Sequence, residues 1–285
     1  MWGESVELKN GMKMPKLGQG TWRMGEKSNR EQDEIECLRL GIELGITLID
    51  TAEMYGEGGA EKVVGKAIAP FDRSRLFLVS KVYPYHAGGD ALIRSAEQSL
   101  RRMGTDYMDT YLLHWPGAIP IKDTIAGMEK LLRDGKIRSW GVSNFDLRGM
   151  EHVLSQPGGS ACVTDQLLYH LGSRGVDYEL LPWLRSQRIV MMAYCPVAQG
   201  GRLREELVRH PVLRQIAAAH NISVIQLLLA FVLHQQNVVA IPKAATLDHV
   251  RANAAALEVE LSDQELAALD QAFPVPDHPE PLDIQ

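Results

Sequence analysis

The interval at which apolar runs recur constrains this chain more than any other feature. Short apolar or β-branched runs begin near Lys16, Thr47, Leu76, Met108, Ile137, Cys162, Ile189 and Val238. Most lie roughly 30 residues apart, the length of one βα unit. Helical patterns fill the gaps. Ile35, Leu38 and Ile42 share one face before Gly45, and Leu92, Ala96, Leu100 and Met103 do so before Gly104. Ile125, Met128 and Leu132 precede Gly135, and Tyr178, Leu181 and Leu184 continue the series. Pro211 opens a further helix, Ser223 caps another, and Ser262 with Glu265 makes a capping box for the last. Eight such units in 285 residues predict a (β/α)8 barrel of the TIM type, which takes about 250 residues. An open doubly wound sheet uses the same alternation but calls for a G-x-G-x-x-G turn after its first strand. Here that segment reads Gly18-Gln19-Gly20-Thr21-Trp22-Arg23, with no third glycine in register.

Ahead of the first unit, Val6–Lys9 and Lys13-Met14 flank an Asn10-Gly11 turn, which predicts an N-terminal β-hairpin. With no internal linker in view, residues 1–285 are expected to form a single domain. The Pro-rich stretch 274–285 should be an extended surface tail.

Composition removes several classes of function. Thirty basic residues against 36 acidic ones give a net charge of -6, with no basic stripe for a phosphate backbone, so nucleic acid is not an expected partner. Nor is a membrane. The most apolar window, Val224 to Leu233, is half the length of a span and contains Gln226. The first residues offer neither a basic nor an apolar region of a secretory signal. Three scattered cysteines, Cys37, Cys162 and Cys195, suit a reducing cytoplasm and supply no metal-ligand spacing. No metal is expected.

In a barrel, chemistry sits at the C-terminal ends of the strands. The second run ends in Asp50 and is followed by Tyr55; the third ends in Lys81 and the fourth in His114. A phenol titrates near 10 and an ammonium near 10.4. An ammonium beside the phenol should make it a stronger acid, and a carboxylate behind the lysine should hold that ammonium in place. A histidine can then orient an oxygen about to gain charge. Taken singly, each residue has an ordinary structural role. Together on consecutive strands they resemble a proton-donating hole for a carbonyl oxygen being reduced.

These residues lie in longer motifs that resemble those of the aldo-keto reductases. Gly45-Ile-Thr-Leu-Ile-Asp-Thr-Ala-Glu-Met-Tyr-Gly56 is similar to that family's first signature, Leu131–Phe145 to its middle one, and Ile241-Pro242-Lys243 to its third. Within the family, the chain resembles bacterial members described as methylglyoxal reductases. The resemblance implies an NADP(H)-dependent reductase of aldehydes or ketones, methylglyoxal and similar small carbonyls among them. It implies Tyr55 as proton donor, Asp50 and Lys81 as its tuners and His114 as substrate orienter. For the cofactor it implies Ser143, Asn144 and Gln166 at the carboxamide, Tyr194 stacked on the nicotinamide, and Gly20, Thr21 and Trp22 along the pocket. Asp50 borders that pocket as well. Lys243 and Asn253 belong to the adenosine end. Read alone, Asn144 is a helix N-cap and Tyr194 a core aromatic.

Three positions depart from the pattern: Ala244 replaces a serine, His249 an arginine, and Cys195 a serine. Arg251 is near enough in sequence to stand in for the arginine. A lysine meets phosphate as a point charge where arginine grips it bidentately, so the NADPH preference should be real but reduced. Trp22, Tyr83 and Trp115 should wall the substrate pocket. A small carbonyl compound is the expected partner and the chain is expected to be a monomer or weak oligomer. Two alternatives from other classes remain at this point: a nucleotide-binding regulatory protein on the same barrel, and a metal-dependent barrel hydrolase.

Overall fold

The computed structural model describes residues 4–284. Strands β1 (Ser5–Glu7) and β2 (Lys13–Pro15) form the expected antiparallel hairpin, with Val6 opposite Met14. Eight parallel strands follow in sequence order: β3 (Gly18–Gly20), β4 (Leu48–Asp50), β5 (Phe77–Val82), β6 (Thr110–Leu113), β7 (Trp140–Ser143), β8 (Cys162–Leu168), β9 (Val190–Tyr194) and β10 (Val238–Ala240). A parallel bridge between Leu17 and Ala240 shuts the sheet into a barrel. Ala240 N–H donates to the Lys16 carbonyl at 2.9 Å, and Gly20 N–H to that of Pro242 at 3.0 Å. A Cβ on Gly20 would stand 2.8 Å from the Ile241 oxygen, so this seam closes only over bare backbone.

The barrel interior is filled by Leu48, Phe77, Val79, Leu112, Val163, Val190, Met192 and Val239. Leu8 and Met14 of the hairpin pack on the same cluster from the side where β4 and β5 begin, plugging the N-terminal mouth. Full burial of such a side chain is worth about 1.5–3 kcal/mol. That leaves the opposite mouth as the open one.

The helices are α1 (Glu31–Glu43), α2 (Gly59–Ile68), α3 (Gly89–Met103), α4 (Ile121–Arg133), α5 (Leu147–Ser155), α6 (Leu180–Ser186), α7 (Arg202–Arg209), α8 (Pro211–Ala219), α9 (Val224–His234), α10 (Leu247–Ala255) and α11 (Asp263–Ala272). Ser223 and Ser262 each close a full capping box. One expected stripe moves: Tyr178 is exposed and lies outside α6, whose buried face is Leu180, Leu181 and Leu184. Pro182 explains this. It has no N–H to offer the Tyr178 carbonyl, so the helix cannot begin a turn earlier. Residues 274–284 hold no helix or strand and are mostly exposed. Within that tail Leu282 packs on the outer core, and the Asp283 carboxylate accepts the Ser173 hydroxyl at 2.5 Å. Among the described residues no single helix is long and apolar enough to cross a membrane.

Candidate active site

Strand alternation decides which side chains reach the interior. In β5, Phe77, Val79 and Lys81 face the barrel, while Leu78 packs outward and Ser80 bonds Glu61 of α2 at 2.6 Å. Lys81 is therefore fully buried at the end of the strand, and all three of its protons have partners. Its Nζ donates to Asp50 Oδ2 at 2.7 Å, to the Thr51 carbonyl at 3.0 Å and to the Tyr55 hydroxyl at 3.2 Å. Tyr55 sits just beyond β4, where Gly56, Glu57 and Gly58 all take left-handed backbone and turn the chain into α2. Its ring meets His114 edge-on, with centroids 5.6 Å apart. The four residues expected to converge do so.

The electrostatics correct one expectation. The ammonium was expected to make the phenol a stronger acid. Burial outweighs it in the free site and, with the Asp50 carboxylate, holds the phenol well above its usual value. Tyr55 thus keeps its proton at neutral pH. Burial also lowers Lys81, opposed by Asp50, and burial plus the nearby Lys81 push His114 well below the usual imidazole range. His114 is neutral, and its buried Nδ1 has no partner. Orphaned buried N–H groups are rarer than orphaned acceptors, which favours the proton on Nε2.

A polar chain continues from Asp50 around the barrel. Gln166 Nε2 donates to Asp50 Oδ1 at 2.8 Å, and the Gln166 carbonyl accepts both the Ser143 hydroxyl at 2.8 Å and the Asn144 N–H at 3.0 Å. Asn144 Nδ2 donates to Ser143 Oγ at 3.2 Å, and its Oδ1 accepts the Tyr194 hydroxyl at 2.8 Å. Asn144 is not the helix cap its composition suggests: its φ is +61°, and Asp146 caps α5 through the Gly149 N–H at 2.7 Å. Asparagine tolerates that left-handed geometry. Tyr194 is half-buried rather than a core ring. Thr21 stands beside β4, its hydroxyl and N–H both on the Asp50 carbonyl at 3.0 Å.

The remaining residues divide. Tyr83 and Trp115 meet edge-to-face at 5.6 Å, and Trp115 packs on His114 at 4.8 Å. Trp22 makes no ring contact with them; the Arg23 guanidinium covers its ring at 4.4 Å. Beside the barrel seam, Ala244 and Asn253 line a small cavity with Gly18, Gly20 and Pro242. Lys243, His249 and Arg251 are exposed around the start of α10. The Thr246 hydroxyl caps that helix through the His249 N–H at 3.3 Å. The Cys195 thiol is pushed up to about 11 by burial. No group of three His, Cys, Asp or Glu among the described residues could hold a metal ion. Sequence reasoning missed Glu53, a buried carboxylate two residues before Tyr55. An acid inside that apolar signature was the signal.

The family model described as Aldo/keto reductase family matches residues 16–273. The chain belongs to the aldo-keto reductase family. It is 55% identical to methylglyoxal reductase YeaE of Escherichia coli (strain K12), over all of both chains. It is 36% identical to the glyoxal reductase of Bacillus subtilis (strain 168), over 94% of this chain and 92% of that one. Among solved structures, an aldo/keto reductase from Klebsiella pneumoniae in complex with NADP and acetate superposes with a TM-score of 0.96 at 51% identity, covering 99% of this chain and 100% of the other. The same degree of likeness holds for an aldo-keto reductase from that organism in complex with NADPH.

Proposed function

We propose that this chain is an NADPH-dependent reductase of aldehydes and ketones, small dicarbonyls such as methylglyoxal among them, with Tyr55 as its proton donor. The observation that carries this reading is the single ammonium of Lys81 bridging Asp50 and the Tyr55 hydroxyl inside the barrel. A carbonyl oxygen that gains charge beside this group meets a protonated phenol, an ammonium behind it and the neutral His114 imidazole. Tyr55 gives up its proton to that oxygen. Lys81 then stabilises the phenolate left behind, and the Asp50–Gln166 contact keeps Lys81 from turning away.

The residues present fit a nicotinamide dinucleotide. Ser143, Asn144 and Gln166 offer hydroxyl and amide groups beside the partly exposed ring of Tyr194, a set suited to a flat ring that carries a carboxamide. Gly20, Thr21, Trp22 and Asp50 border the same space. The exposed Lys243 ammonium next to the first turn of α10 suits a phosphate, with Asn253 nearby for the base and His249 on the same turn. When bound, the reduced cofactor supplies hydride to the carbonyl carbon. The chain is read as a single domain acting in the cytoplasm as a monomer or weak oligomer.

The test is Tyr55→Phe. General-acid catalysis typically contributes about 10² to 10⁴ in rate, so kcat for methylglyoxal should fall by that factor while NADPH binding stays nearly intact. A variant with wild-type kcat would remove Tyr55 from the role.

A further inference from the structure

Glu53 has a side chain only 8% exposed, yet it touches neither Lys81 Nζ nor the Tyr55 hydroxyl. Its Oε1 accepts the Tyr83 N–H at 2.7 Å and stands 3.2 Å from His86 Nδ1. Its Oε2 accepts the Ser95 hydroxyl of α3. A buried carboxylate is costly unless paired, and among the described residues its only ionic partner is the half-exposed His86 imidazole. Among the described residues no lysine or arginine pairs with it. What the carboxylate does instead is gather three elements. Strand β5 ends at Val82, so the Tyr83 N–H is the first donor past the sheet, and a charged acceptor holds it about twice as strongly as a neutral one. Ser95 ties the same carboxylate to α3, and the Glu53 N–H ties its own loop to the Lys81 carbonyl at 3.4 Å.

The rings complete a circuit. Tyr55 meets His114, His114 meets Trp115 at 4.8 Å, Trp115 meets Tyr83 at 5.6 Å, and Tyr83 meets His86 at 6.0 Å. Glu53 closes it, with its backbone two residues from Tyr55 and its carboxylate on Tyr83 and His86. We propose that Glu53 is a positioning residue that fixes the Tyr83–Trp115 wall relative to Tyr55, and so sets how tightly the site holds a carbonyl compound large enough to reach that wall. The proposal rests on the reading of Tyr55 as proton donor and of Tyr83 and Trp115 as pocket wall. A small dicarbonyl reaches Tyr55 and His114 without the wall, whereas an aromatic aldehyde spans from the acid to the ring pair. Loss of Glu53 should therefore discriminate between the two.

The experiment compares Glu53→Ala and Glu53→Gln with the wild type, using 4-nitrobenzaldehyde and methylglyoxal as probes and following NADPH binding by fluorescence. In Glu53→Ala, KM for 4-nitrobenzaldehyde should rise about tenfold, a change of about 1.4 kcal/mol. KM for methylglyoxal, kcat for both and NADPH affinity should each move less than threefold. Glu53→Gln keeps an oxygen for the Tyr83 N–H and should recover most of the loss. Should Glu53→Ala fail to fold, Ser95→Ala removes one anchor of the carboxylate and should give a smaller shift with the same preference for the aromatic probe. Equal KM rises for both probes, no rescue by glutamine, or unchanged constants in every variant would each overturn the positioning role. Tyr55→Phe run alongside separates the two ideas: an active Tyr55→Phe sinks the underlying reading whatever Glu53 does.

Discussion

Lys81→Met tests the centre of the site through stability as well as rate. The side chain is fully buried, and methionine fills nearly the same volume without its three protons. The substitution leaves Asp50 Oδ2 and the Thr51 carbonyl without their donor, with Gln166 the only side chain among the described residues still bonded to the Asp50 carboxylate. Breaking a buried ion pair from one side typically costs about 3–5 kcal/mol. At roughly 2–4 °C per kcal/mol for chains approaching this size, Tm should drop by about 10 °C. Asp50→Asn makes the converse error, stranding the ammonium, and should cost a similar amount. The double variant removes both charges. It should be less destabilised than the two single changes summed, with a coupling of about 2 kcal/mol, because neither charge is left alone. Thermal unfolding of all four proteins at pH 7, without cofactor, supplies the cycle. In the same set kcat should fall further for Lys81→Met than for Asp50→Asn, with smaller changes in NADPH affinity. Strict additivity in the double variant, or a wild-type Tm in Lys81→Met, would refute the picture of one coupled buried pair.

Three further outcomes are expected. Wild-type enzyme should favour NADPH over NADH in kcat/KM, and Lys243→Ala should shrink that ratio by on the order of tenfold, given the worth of a hydrogen bond to a charged group; an unchanged ratio removes Lys243 from the phosphate. Burial drops the His170 imidazole to about 4, and its Nδ1 accepts the Gly172 N–H at 3.1 Å, so the fold favours its neutral form. Its contribution is complete above the unfolded value near 6.5 and is lost as pH falls from there to about 4, about 3 kcal/mol in total. His170→Asn should flatten the acid limb of a urea-midpoint curve, and superimposable limbs would contradict this. Dialysis against a strong chelator should leave turnover unaffected, since no ligand cluster exists among the described residues; loss restored by zinc would count against the mechanism.

The barrel was legible because hydrophobic period and βα spacing are properties of neighbours in sequence. Asp50, Lys81 and His114 were legible for the same reason: each stands at the end of an apolar run. What escaped depends on distance in the chain. Nothing local to Gln166 announces that its amide will bond Asp50, 116 residues away. Nothing local to Asn144 says that its backbone turns left-handed and passes the capping task to Asp146. The acidity of Tyr55 was misjudged because proximity to Lys81 can be guessed from strand order, whereas burial depends on every strand and helix around it. Tyr178 is the opposite case, since Pro182 stood four residues downstream and could have been weighed.

The seam between Leu17 and Ala240 also dictates when activity can appear during synthesis. A ribosome adds roughly 5–20 residues per second, so the two sides of the seam emerge on the order of tens of seconds apart. All four members of the Tyr55 site emerge in the first half of that interval and Gln166 in the second, and until Val238–Ala240 emerges β3 has no partner on its far side. Such edges invite pairing with other chains. A chain that ends ahead of Val238 lacks the strand that closes the barrel and leaves the outer edge of β3 unpaired.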